Sequence, residues 1–333
     1  MPKEAEFYHS LPDKAVQCDL CHHFCRLRDG RSGFCRTRIN RGGKLFTLNY
    51  GRLVSTGIDP VEKKPLYHFL PGSRTLSLGT FGCNFRCGNC QNWEISQRTG
   101  ENLPIPYRST VSVVRDALEN SCPSISFTYN EPTIFTEYAL EVMQSAHSAG
   151  LKNIWVSNGY MSDNCLDAVE PLLDAINIDL KSMDESFYRS ICSTLLSPVL
   201  GNLKRLARSA THLEITTLLI PGFSDKSETL RRLAGFIVGE LGPETPWHIS
   251  AFVPEISWKM KGENATTPDT LERAFEIGKK AGLAYVYDTF FHEDTLCPHC
   301  GRLVIQRHGY TTLRYDTTAG RCQGCGKLII VNS

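Results

Sequence analysis

Thr75-Leu76-Ser77-Leu78-Gly79-Thr80, followed after Phe81 by Gly82-Cys83-Asn84-Phe85-Arg86-Cys87-Gly88-Asn89-Cys90, is the stretch on which the fold turns. Its first half alternates as a strand does, and its second half delivers three thiols on a loop at the strand's carboxyl end. Three cysteines at spacing CxxxCxxC are one short of a closed set, because a structural zinc or an ordinary cubane cluster takes four protein ligands. A metal centre on Cys83, Cys87 and Cys90 would keep a coordination position open, and open positions are where metals do chemistry. Taken alone, the three cysteines also fit part of a zinc site.

Downstream the signals alternate. Strands are predicted over 75–80, 125–129, 153–158, 175–180, 212–220, 247–252 and 283–291, and helices over 112–120, 132–149, 166–174, 198–210, 227–241 and 269–281. The clearest helix has Pro132 in its first turn, a stripe of Ile134, Tyr138, Val142 and Met143, and Gly150 as its stop. Apolar strands separated by amphipathic helices specify an α/β fold, a parallel sheet covered by helices. No GxGxxG opens the first helix, and six or seven units fall short of an eight-fold barrel. The expected architecture is an incomplete barrel of the (β/α)6 type over 75–291.

Ligands of such a sheet bind outside the carboxyl ends of its strands. There this chain places the cysteine loop, Asn130-Glu131-Pro132-Thr133, Ser157-Asn158-Gly159 and Asp179-Leu180-Lys181. Singly these read as helix starts and turns. Together they make one rim of candidate site residues.

The cysteine spacing resembles the signature of radical S-adenosylmethionine (SAM) enzymes. Residues 59–73, the cysteine loop and Gln91-Asn92-Trp93-Glu94-Ile95-Ser96 are similar to the radical SAM component of the AmmeMemoRadiSam system, which is related to pyruvate formate-lyase activating enzymes. The resemblance implies a 4Fe-4S cluster on Cys83, Cys87 and Cys90, with SAM on its fourth iron. It further implies that Glu131 accepts from the SAM ammonium and that Asn158 bonds the ribose or carboxylate. Lys181 pairs with the carboxylate, and Asp179 holds Lys181 or the ribose, with Asn130 and Ser157 beside them as cofactor-binding positions. Implied chemistry is reductive cleavage of SAM to methionine and a 5'-deoxyadenosyl radical, which abstracts hydrogen from a substrate. For the activases that substrate is a glycine of a partner protein, and the electron comes from a donor such as flavodoxin or ferredoxin. This chain departs from the family pattern at Asn89, where an aromatic residue is usual, at 251–254 and at Asp288-Thr289.

Three further segments flank this unit. Residues 1–57 contain Cys18, Cys21, Cys25 and Cys35, four soft ligands that can close a zinc site or hold a second iron-sulfur cluster. A short strand is expected over 45–50. Residues 58–74 hold three prolines, which exclude a regular helix. They read as an extended linker that packs Leu66, Tyr67, Phe69 and Leu70 and leaves its charges in solvent. Residues 292–333 carry Cys297-Pro298-His299-Cys300-Gly301 and Cys322-Gln323-Gly324-Cys325-Gly326, a zinc-ribbon pattern. Between these lie Arg302, Arg307, His308, Tyr310, Arg314 and Tyr315, which read as an ordinary surface and not as a nucleic-acid grip.

Composition narrows the classes. Lys and Arg number 36 against 35 for Asp and Glu, so no global field favours a polyanionic partner. Of 14 cysteines, Cys122, Cys165 and Cys192 fall outside the three sets and read as unpaired thiols, which suits a reducing compartment. No signal pattern opens the chain and no apolar run reaches membrane-spanning length, so the expected location is the cytoplasm. The expected function is radical SAM chemistry on an unidentified substrate. One alternative is activation of a glycyl radical enzyme; another is a zinc-ribbon module binding RNA or protein on a degenerate barrel. A degenerate scaffold would need none of Cys83, Cys87, Cys90 and Glu131.

Overall fold

Eight strands form the central sheet of the computed structural model, which describes residues 2–97 and 104–330. They are β1 (Ser55–Pro60), β2 (Arg74–Gly79), β3 (Ser124–Phe127), β4 (Lys152–Ser157), β5 (Ala175–Asp179), β6 (His212–Leu219), β7 (Trp247–Ala251) and β8 (Val286–Asp288). In space they follow the order of the chain, with β1 antiparallel to β2 and each later pair parallel. β3 is buried at all four positions, as a strand covered on both sides must be.

The helices between the strands start where side chains cap them. Ser109 accepts from Ser112 N ahead of Thr110–Glu119, and Thr267 accepts from Thr270 N ahead of Pro268–Ala281, which Gly282 ends at φ +100°. The helix predicted over 132–149 opens with a 3-10 turn, Pro132–Phe135, and continues as Thr136–Ser148; its expected stripe is buried. The one predicted over 166–174 starts earlier, at Asp163, because the Ser162 side chain caps Cys165 N.

Two expectations about the chain's elements fail for definable reasons. The supposed linker opens as β1, and while Lys63 and Arg74 are exposed as expected, Asp59, Glu62 and Lys64 are buried. Asp59 pairs with Lys63 at 2.8 Å and with Lys64 at 2.7 Å, and accepts from Tyr129 Oη at 2.7 Å. Against the pull of burial, these bonds hold the Asp59 carboxyl below its usual range. Leu66, Tyr67 and Phe69 are buried as expected. The strand predicted over 283–291 shrinks to β8, because Asp288 Oδ1 accepts from Phe290 N and Phe291 N and turns the chain.

Tyr67 and His68 meet β6 at Glu214. This buried carboxylate accepts from both of their backbone amides and from the His212 and His248 rings, at 2.6–3.0 Å. Residues 292–330 dock here too, Val304, Ile305, Ile329 and Ile330 packing with Tyr67, Tyr285 and Tyr287. Arg307, expected on the surface, is buried instead. It donates to Tyr67 O and Thr295 Oγ1 and lies 4.2 Å from the Tyr67 ring centroid. The strand expected over 45–50 is Lys44–Thr47, paired with Arg38–Arg41 and Lys3–Glu4. Among the described residues no helix is long and apolar enough to cross a membrane.

Candidate active site

The cysteine loop leaves β2 through Gly82, at φ +87°, where only glycine fits. A Cβ there would stand 2.5 Å from Thr37 Cγ2 and 2.7 Å from Cys35 O. Backbone bonds pin the rest. Arg86 N and Gly88 N donate to the carbonyls of Cys192 and Ile191, and Lys259 N donates to Gly88 O. Asn130 accepts from Thr80 N and donates to Gly82 O, so both ends of its amide hold the loop. Phe85 N donates to Cys83 Sγ at 3.3 Å.

Glu131 is buried behind this loop. Its Oε1 accepts from Thr133 N, Thr133 Oγ1 and Ser157 Oγ at 2.6–3.0 Å, and its Oε2 from Asn158 N at 2.8 Å. Burial nonetheless raises its pKa above the ordinary carboxylate value. Asn158 Nδ2 donates to Asn84 Oδ1 at 2.7 Å, which ties the end of β4 to the loop. Preceding Asn130, Tyr129 takes the left-handed conformation at φ +69°, held by its bond to Asp59 and by Asn92 Nδ2 on its carbonyl. The buried charges of 59–64 thus brace the Asn130-Glu131 turn.

Lys181 Nζ lies 2.9 Å from Asp179 Oδ2. Burial alone would lower its pKa; Asp179 and the Cys87 and Cys192 thiols outweigh that and hold it well above the ordinary lysine value. The sequence reads Cys192 as an unpaired thiol. It is buried, but it interacts with Cys87, and the interaction between the two thiols depresses the Cys87 pKa and raises that of Cys192. Spacing gave no hint of it. Cys192 ends a π-helical turn, Tyr188–Cys192, that returns to the loop from far along the chain. The six strand-end residues therefore all come to the cysteine loop, together with Cys192, and Asn84 meets them from within the loop.

The other two cysteine sets differ in compactness. At the tail, Cys297 Sγ lies 3.5 Å from Cys325 Sγ, and Cys300 Sγ 3.7 Å from Cys322 Sγ; all four ligand atoms fall within 4.8 Å of one another. Cys18, Cys21, Cys25 and Cys35 also lie within reach of one another's charge, without drawing that close.

The chain is 38% identical to an uncharacterised protein of Methanocaldococcus jannaschii across 98% of each chain. The family model of the radical SAM superfamily matches residues 78–234, the span from the cysteine loop's strand past β6. The chain belongs to the radical SAM superfamily. Over 50% of this radical SAM chain it is 23% identical to the pyruvate formate-lyase 1-activating enzyme of Escherichia coli, covering 69% of that protein. In fold it is similar to the crystal structure of Streptococcus suis SuiB bound to precursor peptide SuiA. The TM-score is 0.50 with 14% identity, over 68% of this chain and 51% of that one. It is an enzyme of the radical SAM class, related to the activating enzymes.

The residues present fit that family's cofactors. A three-thiol set suits a cluster with one iron left for a non-protein ligand. Asn84 Nδ2 and Asn89 Oδ1, a donor and an acceptor on the loop itself, are buried without partners, as groups awaiting a polar ligand are. Asn89 stands where the family usually has an aromatic residue.

Proposed function

We propose that this enzyme cleaves SAM reductively and abstracts a hydrogen atom from a substrate. The convergence of an incomplete cysteine set with Glu131, Asn158 and the Asp179–Lys181 pair carries the reading. When bound, a 4Fe-4S cluster on Cys83, Cys87 and Cys90 supplies the electron that splits SAM into methionine and a 5'-deoxyadenosyl radical. The protein's own part is orientation. Thr133 and Ser157 aim the Glu131 carboxylate so that Oε2, with a single donor on it, can accept from the SAM ammonium. Asp179 holds the Lys181 ammonium for the SAM carboxylate, and Asn158 and Asn84 supply amide groups to the ribose end.

Within this reading the seven parallel strands curl into an incomplete barrel, with residues 1–57 and 292–333 as attachments and 58–74 between the first of these and the barrel. The tail cysteines bind one zinc ion, since tetrahedral coordination at about 2.3 Å sets its sulfurs about 3.8 Å apart. Fourteen free cysteines suit a cytoplasmic protein supplied with electrons by flavodoxin or ferredoxin. The Escherichia coli relative favours a second, narrower reading, in which the hydrogen comes from a glycine of a partner protein.

Anaerobic incubation of iron- and sulfide-reconstituted enzyme with SAM and dithionite tests the main reading. Expected products are 5'-deoxyadenosine and methionine in equal amounts. Absence of both, together with a cluster spin-resonance signal unmoved by SAM, would sink it. A glycyl radical on a co-expressed partner would select the narrower reading. Glu131→Gln is expected to weaken SAM binding by about tenfold or more, since hydrogen bonds to charged groups contribute about 1.5–3 kcal/mol. Titrating SAM against the cluster's spin-resonance signal checks this; an unchanged affinity would leave Glu131 only its role in capping the Pro132–Phe135 turn.

A further inference from the structure

Two of the four N-terminal cysteines, Cys18 and Cys35, feel one buried cation. Arg38 is fully buried and donates from Nη2 to Glu137, yet its Nε and Nη1 have no partner. Its charge acts on Cys18 and on Cys35. A buried guanidinium with two unmade hydrogen bonds is costly, and a cluster of metal-bound thiolates, negative overall and rich in acceptors, would offset that cost. Other donors already point at these sulfurs. Thr37 Oγ1 lies 3.2 Å from Cys35 Sγ, and Phe34 N lies 3.5 Å from Cys25 Sγ.

How far the thiols spread distinguishes a single ion from a larger body. The tail cysteines contract to the distances one tetrahedral ion demands. Among the described residues they are the only three or more His, Cys, Asp or Glu ligand atoms all within 4.8 Å of one another. The Cys83, Cys87 and Cys90 loop, which the family gives a cluster, stays wider, and so do Cys18, Cys21, Cys25 and Cys35. Both sets thus spread beyond the 4.8 Å within which the tail cysteines gather. Four cysteines are also what 2Fe-2S and 4Fe-4S centres require.

Its position is next to the catalytic loop. Gly82 lies against the Cys35 carbonyl, closer than any side chain would allow, and Cys83 follows it directly. His23 Nε2 bonds Asn84 O at 2.7 Å while its ring stacks on Phe34, 4.2 Å between centroids; Arg86 covers the same Phe34 ring at 4.3 Å. Cys21 pairs with Met161, just past the Asn158 turn.

We propose that Cys18, Cys21, Cys25 and Cys35 hold a second iron-sulfur cluster that relays single electrons to the catalytic one. The cluster site stands on the geometry above, and the relay rests on the proposed SAM chemistry, whose cluster is the acceptor. A low-potential iron-sulfur or flavin protein gives up one electron and is oxidised by one. The second cluster is reduced and then reoxidised, the electron passes to the catalytic cluster and ends in SAM cleavage, and no bond or proton changes at the four cysteines.

Three full-length proteins test this after anaerobic reconstitution: the wild type, a Cys83, Cys87 and Cys90→Ala triple variant, and a variant with Cys18, Cys21, Cys25 and Cys35→Ser. Iron, acid-labile sulfide and zinc are counted, and spin-resonance spectra are recorded after reduction with and without SAM. The triple variant is expected to keep iron and sulfide in equal amounts, with a signal that SAM does not move. A triple variant without sulfide would overturn the cluster, whether the four cysteines then hold zinc or nothing. Failure of the SAM reading looks different: the wild type would show no SAM-sensitive signal while the triple variant still held its cluster. Because the four-serine variant can misfold, Cys25→Ser, at the most exposed of the four, is measured beside it, with circular dichroism as the folding control. For the relay, the ratio of 5'-deoxyadenosine formation driven by flavodoxin to that driven by dithionite is expected to fall about tenfold in these serine variants. An unchanged ratio would overturn the relay.

Discussion

Cys87→Ala is expected to lower 5'-deoxyadenosine formation by at least about three orders of magnitude, whereas Cys192→Ala lowers it by less than about tenfold. The contrast matters because the two thiols interact, and proximity alone would allow either to be the ligand. Chain position separates them. Cys87 belongs to the CxxxCxxC loop with Cys83 and Cys90, whereas Cys192 arrives from far along the chain at the end of the turn Tyr188–Cys192. Under the proposed function Cys87 is therefore the ligand of the pair and Cys192 its buried neighbour. Rates in dithionite-driven assays, with iron content measured on the same samples, check this. Equal losses of iron and activity in the two variants would mean four protein ligands and no open position, which would remove the basis for SAM on the cluster.

Glu214→Ala is expected to destabilise the fold by about 3–5 kcal/mol, the range for removing one partner of a buried charged network. The substitution strands two backbone amides and two imidazoles where β6 meets Tyr67 and His68. Glu214→Gln keeps an acceptor oxygen and should cost less. Midpoint shifts in chemical denaturation test both, and a cost below about 1 kcal/mol for the alanine variant would reduce the network to ordinary surface pairing. The same site makes the protein acid-sensitive. Burial would raise the Glu214 pKa, but the two histidines outweigh it and hold it well below the ordinary value. The carboxylate's contribution is therefore present above the unfolded-state pKa of about 4.3 and lost as pH falls. His68, buried between Ile329 O and Tyr287 Oη, has its pKa lowered to about 4. Between its unfolded value of about 6.5 and that point the unfolded chain binds the extra proton, so stability declines with falling pH through this window too. Denaturation midpoints measured from pH 7 to pH 4 should fall monotonically.

The parallel strands were legible because each is an apolar run ended by polar residues where a crossover begins, and those endings also marked Glu131, Asn158 and Lys181. β1 was not legible. Its segment reads as charged and proline-bearing, and nothing local reveals that Asp59, Lys63, Lys64 and Tyr129 satisfy one another. Cys192 was hidden for a related reason, since it reaches Cys87 through a π-helical turn whose register no spacing rule covers. In the N-terminal set, spacing fixed the number of soft ligands and left their metal open, because nuclearity depends on how far apart folding holds the sulfurs. Arg38, which answers to those sulfurs from a neighbouring strand, carried no sequence mark at all.

The strictly sequential strand order bears on how the enzyme is made. Each parallel strand adds beside the one synthesised before it, so the sheet can grow in the order in which the ribosome delivers it. The cysteine loop does not follow that schedule. Arg86 and Gly88 receive their backbone partners only when Ile191 and Cys192 arrive, and Gly88 O waits for Lys259. Three of the backbone bonds that pin the loop therefore cannot form until residues 191, 192 and 259 have been made, so the loop reaches its final support only when most of the chain is complete.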